Sequence, residues 1–212
     1  MIVKVCGMRL SSNIRQVDRL AIDWMGFIFY PPSPRCLKRI PRYLPEQAKR
    51  VGVFVDADSH YIQNRTKQYG LHLLQLHGRE TPDECRHLRE TTGCPIIKAI
   101  SISETTDFDL LCHYEGVADY FLFDTATAAR GGSGRQFDHR LLCRYKGRIP
   151  FLLSGGLGPD DVATVLEWQS HPQFAGIDLN SRFELRPGVK NAGLLQHFLN
   201  TLRKQTLKTE ST

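Results

Sequence analysis

Apolar and polar positions along this chain follow two alternating rhythms. Short, β-branched or aromatic apolar runs stand at Ile2–Val5, 26–30, 51–55, Leu73–Leu76, 96–100, 120–123, 150–153 and 176–179. Continuous apolar runs of this length, closed by turn residues, predict buried strands. Between them the apolar spacing is helical. Ile14, Val17, Leu20 and Ala21 share one face behind Ser11 and Ser12 as candidate caps, and Val162, Val165 and Leu166 do so after Pro159. Thr81-Pro82-Asp83-Glu84 reads as a capping box with proline at the first helical position. Leu110, Leu111 and Tyr114, then Leu141, Leu142 and Tyr145, then Leu194, Leu195, Phe198 and Leu202 supply further apolar faces, while 56–70 is only mildly amphipathic.

The strands recur roughly every 22 to 30 residues, the length of one strand-plus-helix unit. Uniformly apolar strands alternating with helices predict a parallel sheet covered by helices, and eight of them predict closure. The expected class is α/β: a single (βα)8 TIM barrel over 1–203, with 204–212 as a polar C-terminal tail.

Composition narrows the function classes. The 212 residues are 41% hydrophobic and 24% charged, as in ordinary globular proteins. No apolar run approaches a membrane span and Met1 leads straight into a strand, so no membrane partner and a cytoplasmic location are expected. The six cysteines are scattered without a Cys-x-x-Cys pair and the eight histidines show no ligand spacing, so reduced thiols and no metal are expected. The net charge of +6 is spread among acidic residues except near the C-terminus, which favours an anionic small molecule over nucleic acid.

In a parallel barrel, groups at strand C-termini converge on one face. That face would collect Cys6, Arg35 of Ser33-Pro34-Arg35, Asp56, Asp58, His77, Asp124, Ser154-Gly155-Gly156, Asp178 and Asn180-Ser181. Cys6 and Asp124, each ending an apolar strand, could form an acid–base pair. A lone cysteine more often serves as a small core residue, an aspartate after a strand often caps a turn, and a strand-end histidine often satisfies the backbone. The Ser154-Gly155-Gly156-Leu157-Gly158-Pro159 stretch between a strand and a helix can present backbone N–H groups to phosphate, with Gly131-Gly132-Ser133-Gly134 folding over the same group. No nucleotide-binding glycine motif is present, so the phosphate belongs to the substrate and no cofactor is expected.

Taken together, Lys4-Val5-Cys6-Gly7-Met8, Gly26-Phe27-Ile28-Phe29-Tyr30-Pro31 with Ser33-Pro34-Arg35, Gln75-Leu76-His77-Gly78, Phe123-Asp124-Thr125 with Gly131-Gly132-Ser133-Gly134, Ser154-Gly155-Gly156-Leu157 and Pro187-Gly188-Val189-Lys190 resemble phosphoribosylanthranilate isomerases over nearly the whole chain. The resemblance implies a cofactor-independent Amadori rearrangement of N-(5-phosphoribosyl)anthranilate in tryptophan biosynthesis. It implies Cys6 as general base, Asp124 as general acid and Arg35 as the partner of the anthranilate carboxylate. His77 and Asp178 are expected at the substrate, and Gly132, Ser133, Gly134, Gly155, Gly156, Asn180, Ser181 and Arg182 at its phosphate. Burial is expected to keep Asp124 protonated, and Lys4 or Arg9 to lower the Cys6 pKa.

The chain departs from the family pattern after the eighth strand, where Asn180 and Arg182 replace a serine and a glycine, and at Asn191, where an aspartate is usual. Two other readings are an indoleglycerol-phosphate synthase, which needs a lysine acid and strand-end glutamates, and a phosphate-binding barrel without catalysis, against which both Cys6 and Asp124 speak. A monomer is the simpler expectation, a homodimer the alternative.

Overall fold

The computed structural model describes residues 1–124 and 139–209. Eight parallel strands close a barrel in sequence order: β1 (Ile2–Val5), β2 (Trp24–Ile28), β3 (Lys49–Phe54), β4 (Leu73–Leu76), β5 (Ile96–Ser101), β6 (Tyr120–Asp124), β7 (Phe151–Ser154) and β8 (Phe174–Leu179). Pairing of Ile2 with Gly176 through Val5 with Leu179 completes the ring. All eight expected strands are present; β2, β3 and β8 begin two residues earlier than the apolar runs, because the closing sheet recruits flanking residues such as Trp24 and Lys49.

Among the described residues five α-helices cover the outside: α1 (Ser11–Asp18), α2 (Ser59–Tyr69), α3 (Pro82–Thr92), α4 (Val162–Trp168) and α5 (Ala192–Thr209). The weakly patterned 56–70 stretch does form a helix, because the Asp58 carboxylate caps His60 and Tyr61 N–H and Gly70 closes the other end at φ +54°. The Thr81/Glu84 capping box is formed as expected. Ser11 and Ser12, in contrast, lie inside α1, whose N-cap is Leu10 without a side-chain cap. After β5 and before β7 the expected helical faces make only 3₁₀ turns, Asp109–Tyr114 and His139–Arg144, so Leu111 is buried while Leu110 is exposed. The last helix runs to Thr209, past residue 203, so 204–209 continue the barrel's final element.

No helix joins β2 to β3. Asp18, buried at the end of α1, replaces it as an organiser by accepting the N–H groups of Glu46, Gln47 and Ala48 and the Tyr43 hydroxyl. Those four bonds hold its carboxyl below the usual range although burial pushes the other way.

Side chains alternate across each strand, and the inward series reads apolar at the bottom of the barrel and polar at the top. Ile2, Trp24, Val51, Leu73, Ile97, Ala99, Tyr120, Leu122 and Leu152 pack into an apolar plug. Above it come Lys4 on β1 with Cys6 just past its end, Gln75 on β4 with His77 just past its end, Asp124 on β6, Ser154 on β7, and Asp178 on β8 with Asn180 just past its end. The larger apolar cluster lies between sheet and helices. A small antiparallel hairpin, β9 (Glu184–Arg186) and β10 (Val189–Lys190), turning at Pro187-Gly188, sits between β8 and α5 beside the barrel mouth.

Candidate active site

The inward polar series opens into a cavity of about 220 Å³ lined by Cys6, Gln75, His77, Asp124, Asp178 and the Ser154–Leu157 and Asn180-Ser181 loops, with Ile28 and Val53 on the remaining wall. Its formation follows from period-two geometry: the last inward position of each of several strands faces the same axis.

Cys6 is almost fully buried. Its sulfur occupies room that β2 leaves by having glycine at position 26, where an added Cβ would come within 2.7 Å of Sγ. Beneath it, the fully buried Lys4 ammonium donates to Asp178 Oδ1 at 2.9 Å and acts electrostatically on the thiol. Burial pushes the Cys6 pKa up, and Asp178 adds to this, while Lys4 and Lys190 oppose it without overcoming it. Lys4 itself is held above the ordinary lysine value: burial works against its charge, but Asp178 and Cys6 outweigh it. The expected lowering by Lys4 is thus real as a contribution but not as the net result. Arg9 takes no part, since its guanidinium reaches Pro34 O and its stem lies over Gly188.

Across the cavity, Asp124 Oδ2 meets His77 Nε2 at 3.2 Å, and both side chains are 31% exposed. The burial expected around Asp124 is therefore only partial, because the mouth of the barrel reaches it. His77 Nδ1 is in turn 2.9 Å from the Gln75 amide, whose nearly fully buried side chain comes from the inward position one step lower on β4. Gln75 is a site residue that sequence reading missed; the signal was its place two residues before His77 in an otherwise apolar strand.

Asp178 lines the cavity but is committed to Lys4, with Ser154 Oγ 3.5 Å from its second oxygen. Gly155 and Gly156 both adopt φ +79°, a conformation open to glycine and strained for other residues, which curls the loop over the cavity. The loop does not open a helix directly: α4 begins only at Val162, so its curled backbone rather than a helix end faces the cavity. Ser181 and Asn180 border the same corner, and Asn180 Oδ1 accepts from Lys190 Nζ at 2.7 Å. Arg182 is exposed and runs toward the glycine loop, its Nε 3.2 Å from where a Gly158 Cβ would stand; among the described residues it has no hydrogen-bond or ion-pair partner. Gly132, Ser133 and Gly134 lie outside the described residues.

Arg35 does not line the cavity. Its guanidinium lies against Glu184, with Nε 3.0 and 3.1 Å from the two carboxylate oxygens and Nη2 2.7 Å from Oε2. Glu184 and Lys190 were not singled out from the sequence, because neither ends a barrel strand. Among the described residues no group of three or more His, Cys, Asp and Glu side chains could hold a metal ion, and no helix is long and apolar enough to cross a membrane.

The family model for N-(5'-phosphoribosyl)anthranilate isomerase matches residues 3–201. The chain belongs to the phosphoribosylanthranilate isomerase family. It is 49% identical to the N-(5'-phosphoribosyl)anthranilate isomerase of Phocaeicola vulgatus, over 97% of this chain and 99% of that one. The crystal structure of the Thermotoga maritima phosphoribosylanthranilate isomerase matches with a TM-score of 0.80 at 31% identity, covering 96% of this chain and all of the other. A further phosphoribosylanthranilate isomerase, solved in complex with reduced 1-(o-carboxyphenylamino)-1-deoxyribulose 5-phosphate, matches with a TM-score of 0.77 at 28% identity, covering 96% of this chain and 100% of that one. The chain is thus an intramolecular oxidoreductase of tryptophan biosynthesis built on the barrel that the strand pattern implied.

Proposed function

We propose that the chain isomerises N-(5-phosphoribosyl)anthranilate with Cys6 as general base and Asp124 as general acid. The observation that carries this assignment is that both groups line one cavity from strands that are not neighbours, leaving room for a substrate between them. Asp124 gives a proton to the furanose oxygen as the bond from C1 to that oxygen breaks, producing an iminium. The Cys6 thiolate then takes the proton from C2, and the resulting enaminol tautomerises to the aminoketose, so no atom or electron is gained or lost overall.

The electrostatics supply the timing. A thiol whose pKa is raised by burial rests protonated, which protects it from oxidation. The cationic iminium adds positive charge to that of Lys4 and drives the thiol proton out to solvent, leaving a thiolate for C2; Asp124 regains a proton from solvent at the end of the cycle, which closes the proton balance. His77 orients Asp124 through Oδ2 and is itself held by Gln75, so in this reading its role is to aim the acid as well as to border the substrate.

At the other end of the substrate, the glycine loop and Ser181 hold the phosphate, with Arg182 supplying positive charge and Asn180 shaping the corner. The test is turnover of freshly made phosphoribosylanthranilate, followed by the loss of anthranilate-type fluorescence. A purified, folded protein that leaves this fluorescence unchanged would overturn the proposal.

A further inference from the structure

Arg35 and Glu184 are 149 residues apart in sequence and meet at the barrel mouth in a geometry that constrains both. Glu184 does not depend on Arg35 for its own position. Its Oε1 accepts from the fully buried Lys190 ammonium at 2.7 Å and from Gly188 N–H at 2.9 Å, and its side chain is only 4% exposed. Lys190 is pinned in turn by Asn180 Oδ1, and its backbone exchanges hydrogen bonds with the Asn13 side chain. The carboxylate is therefore a fixed post, and the longer, more exposed arginine is what it fixes.

The pairing uses one edge of the guanidinium. Nε and Nη2 are engaged, whereas Nη1 has no acceptor among the described residues. The planar fork offers a second edge, Nη1 with Nη2, suited to another carboxylate. The stem of Arg35 passes within 2.9 Å of the site of a Gly7 Cβ, and Gly7 follows Cys6 directly, so the arginine stem runs along the turn that follows the base. The charges agree: Arg35, Lys190 and Glu184 leave one positive charge unbalanced among the described residues, and an aromatic carboxylate would neutralise it. Burial pushes the Glu184 pKa up, but Arg35, Lys190 and Gly188 N–H outweigh it, so the post stays ionised.

We infer that Glu184 is a positioning residue, which locks Arg35 in the orientation that selects substrates bearing an ortho carboxylate. The inference deepens the reading above and rests on Arg35 meeting that carboxylate. An arginine held only by its stem samples many rotamers, and ordering it on binding would weaken affinity without touching the chemistry at C1 and C2.

The experiment compares Glu184→Gln, Glu184→Asp, Arg35→Met and the Glu184→Gln/Arg35→Met double variant on phosphoribosylanthranilate and on phosphoribosylaniline, which lacks the carboxylate. Glu184→Gln is expected to raise KM for the carboxylated substrate about tenfold with kcat retained, to leave kcat/KM for the aniline substrate unchanged, and to add nothing once Arg35 is gone. Glu184→Asp, which keeps the charge, recovers part of the loss and serves if the glutamine variant folds poorly. Equal damage to both substrates would show a merely structural role, and a lower KM would show that Glu184 competes with substrate for Arg35; either overturns the inference while leaving the carboxylate clamp intact. An unchanged KM in Arg35→Met would overturn the clamp itself, and the inference with it.

Discussion

Replacing Lys4 by methionine removes the ammonium group that pairs with Asp178 and opposes the upward shift of the Cys6 thiol. Two unit charges about 4 Å apart interact by about 4 kcal/mol at an effective dielectric near 20, so losing the ammonium pushes the thiol pKa further up. Both partners are buried, so solvent does little to screen this. The thiolate should become correspondingly harder to form, and kcat at neutral pH should fall by at least about 100-fold, the contribution of a positioned base. Stability also suffers. Breaking a buried ion pair by removing one partner costs about 3–5 kcal/mol because the other charge stays behind. The informative protein is therefore Lys4→Met/Asp178→Asn, which leaves no orphan charge. Asp178 raises the thiol pKa less than Lys4 lowers it, so the double variant should keep a net upward shift smaller than that of Lys4→Met alone. The assay is the ultraviolet absorbance of the thiolate titrated against pH, alongside the alkaline rise of kcat. In wild type both should rise together at a pH above the ordinary thiol range. If the double variant folds and its thiolate midpoint is unmoved or lower, Lys4 does not support the base and the electrostatic account of Cys6 fails.

Cys6→Ala and Asp124→Asn should each lower kcat by at least about 100-fold with substrate affinity largely kept, as measured by steady-state kinetics and by ligand binding; near wild-type kcat in either would remove that residue's role. Arg182→Gly should raise KM about tenfold and flatten its dependence on ionic strength, if the guanidinium supplies charge to the phosphate; an unchanged KM would leave the backbone loop as sole holder. Asp18→Ala strips four hydrogen bonds from the helix-free β2–β3 connection and should cost about 3 kcal/mol in urea denaturation at neutral pH. Because the folded Asp18 pKa is depressed, this contribution is complete above the unfolded value near pH 4 and disappears as pH falls through the folded one. A stability gap between wild type and variant that persists at low pH would contradict it.

The strands and the order of the barrel were legible from the chain itself, because a buried parallel strand must be apolar on both faces and its signal is local. The same holds for the main site residues: Cys6 and Asp124 each end an apolar run, and strand ends in a closed parallel barrel face one another whatever the details of packing. His77 was visible for the same reason, and Gln75 was not singled out as a site residue because it lies one inward step deeper. The weak spots were also local in origin. Helical spacing around Leu110 and Leu141 was too short to give more than 3₁₀ turns among the described residues, and the helix-free path from β2 to β3 is organised from outside the segment, by Asp18. What only the tertiary structure decided is the pairing of charges. Lys4 reaches Asp178 across 174 residues and Arg35 reaches Glu184 across 149, and both acids are buried on β8 or the hairpin that follows it. An ion pair leaves no periodic trace in sequence, since its energy depends on where two distant strand ends are brought and how much water is excluded there. The residue types for acid–base chemistry were therefore written locally, while the field in which they work exists only once the barrel has closed.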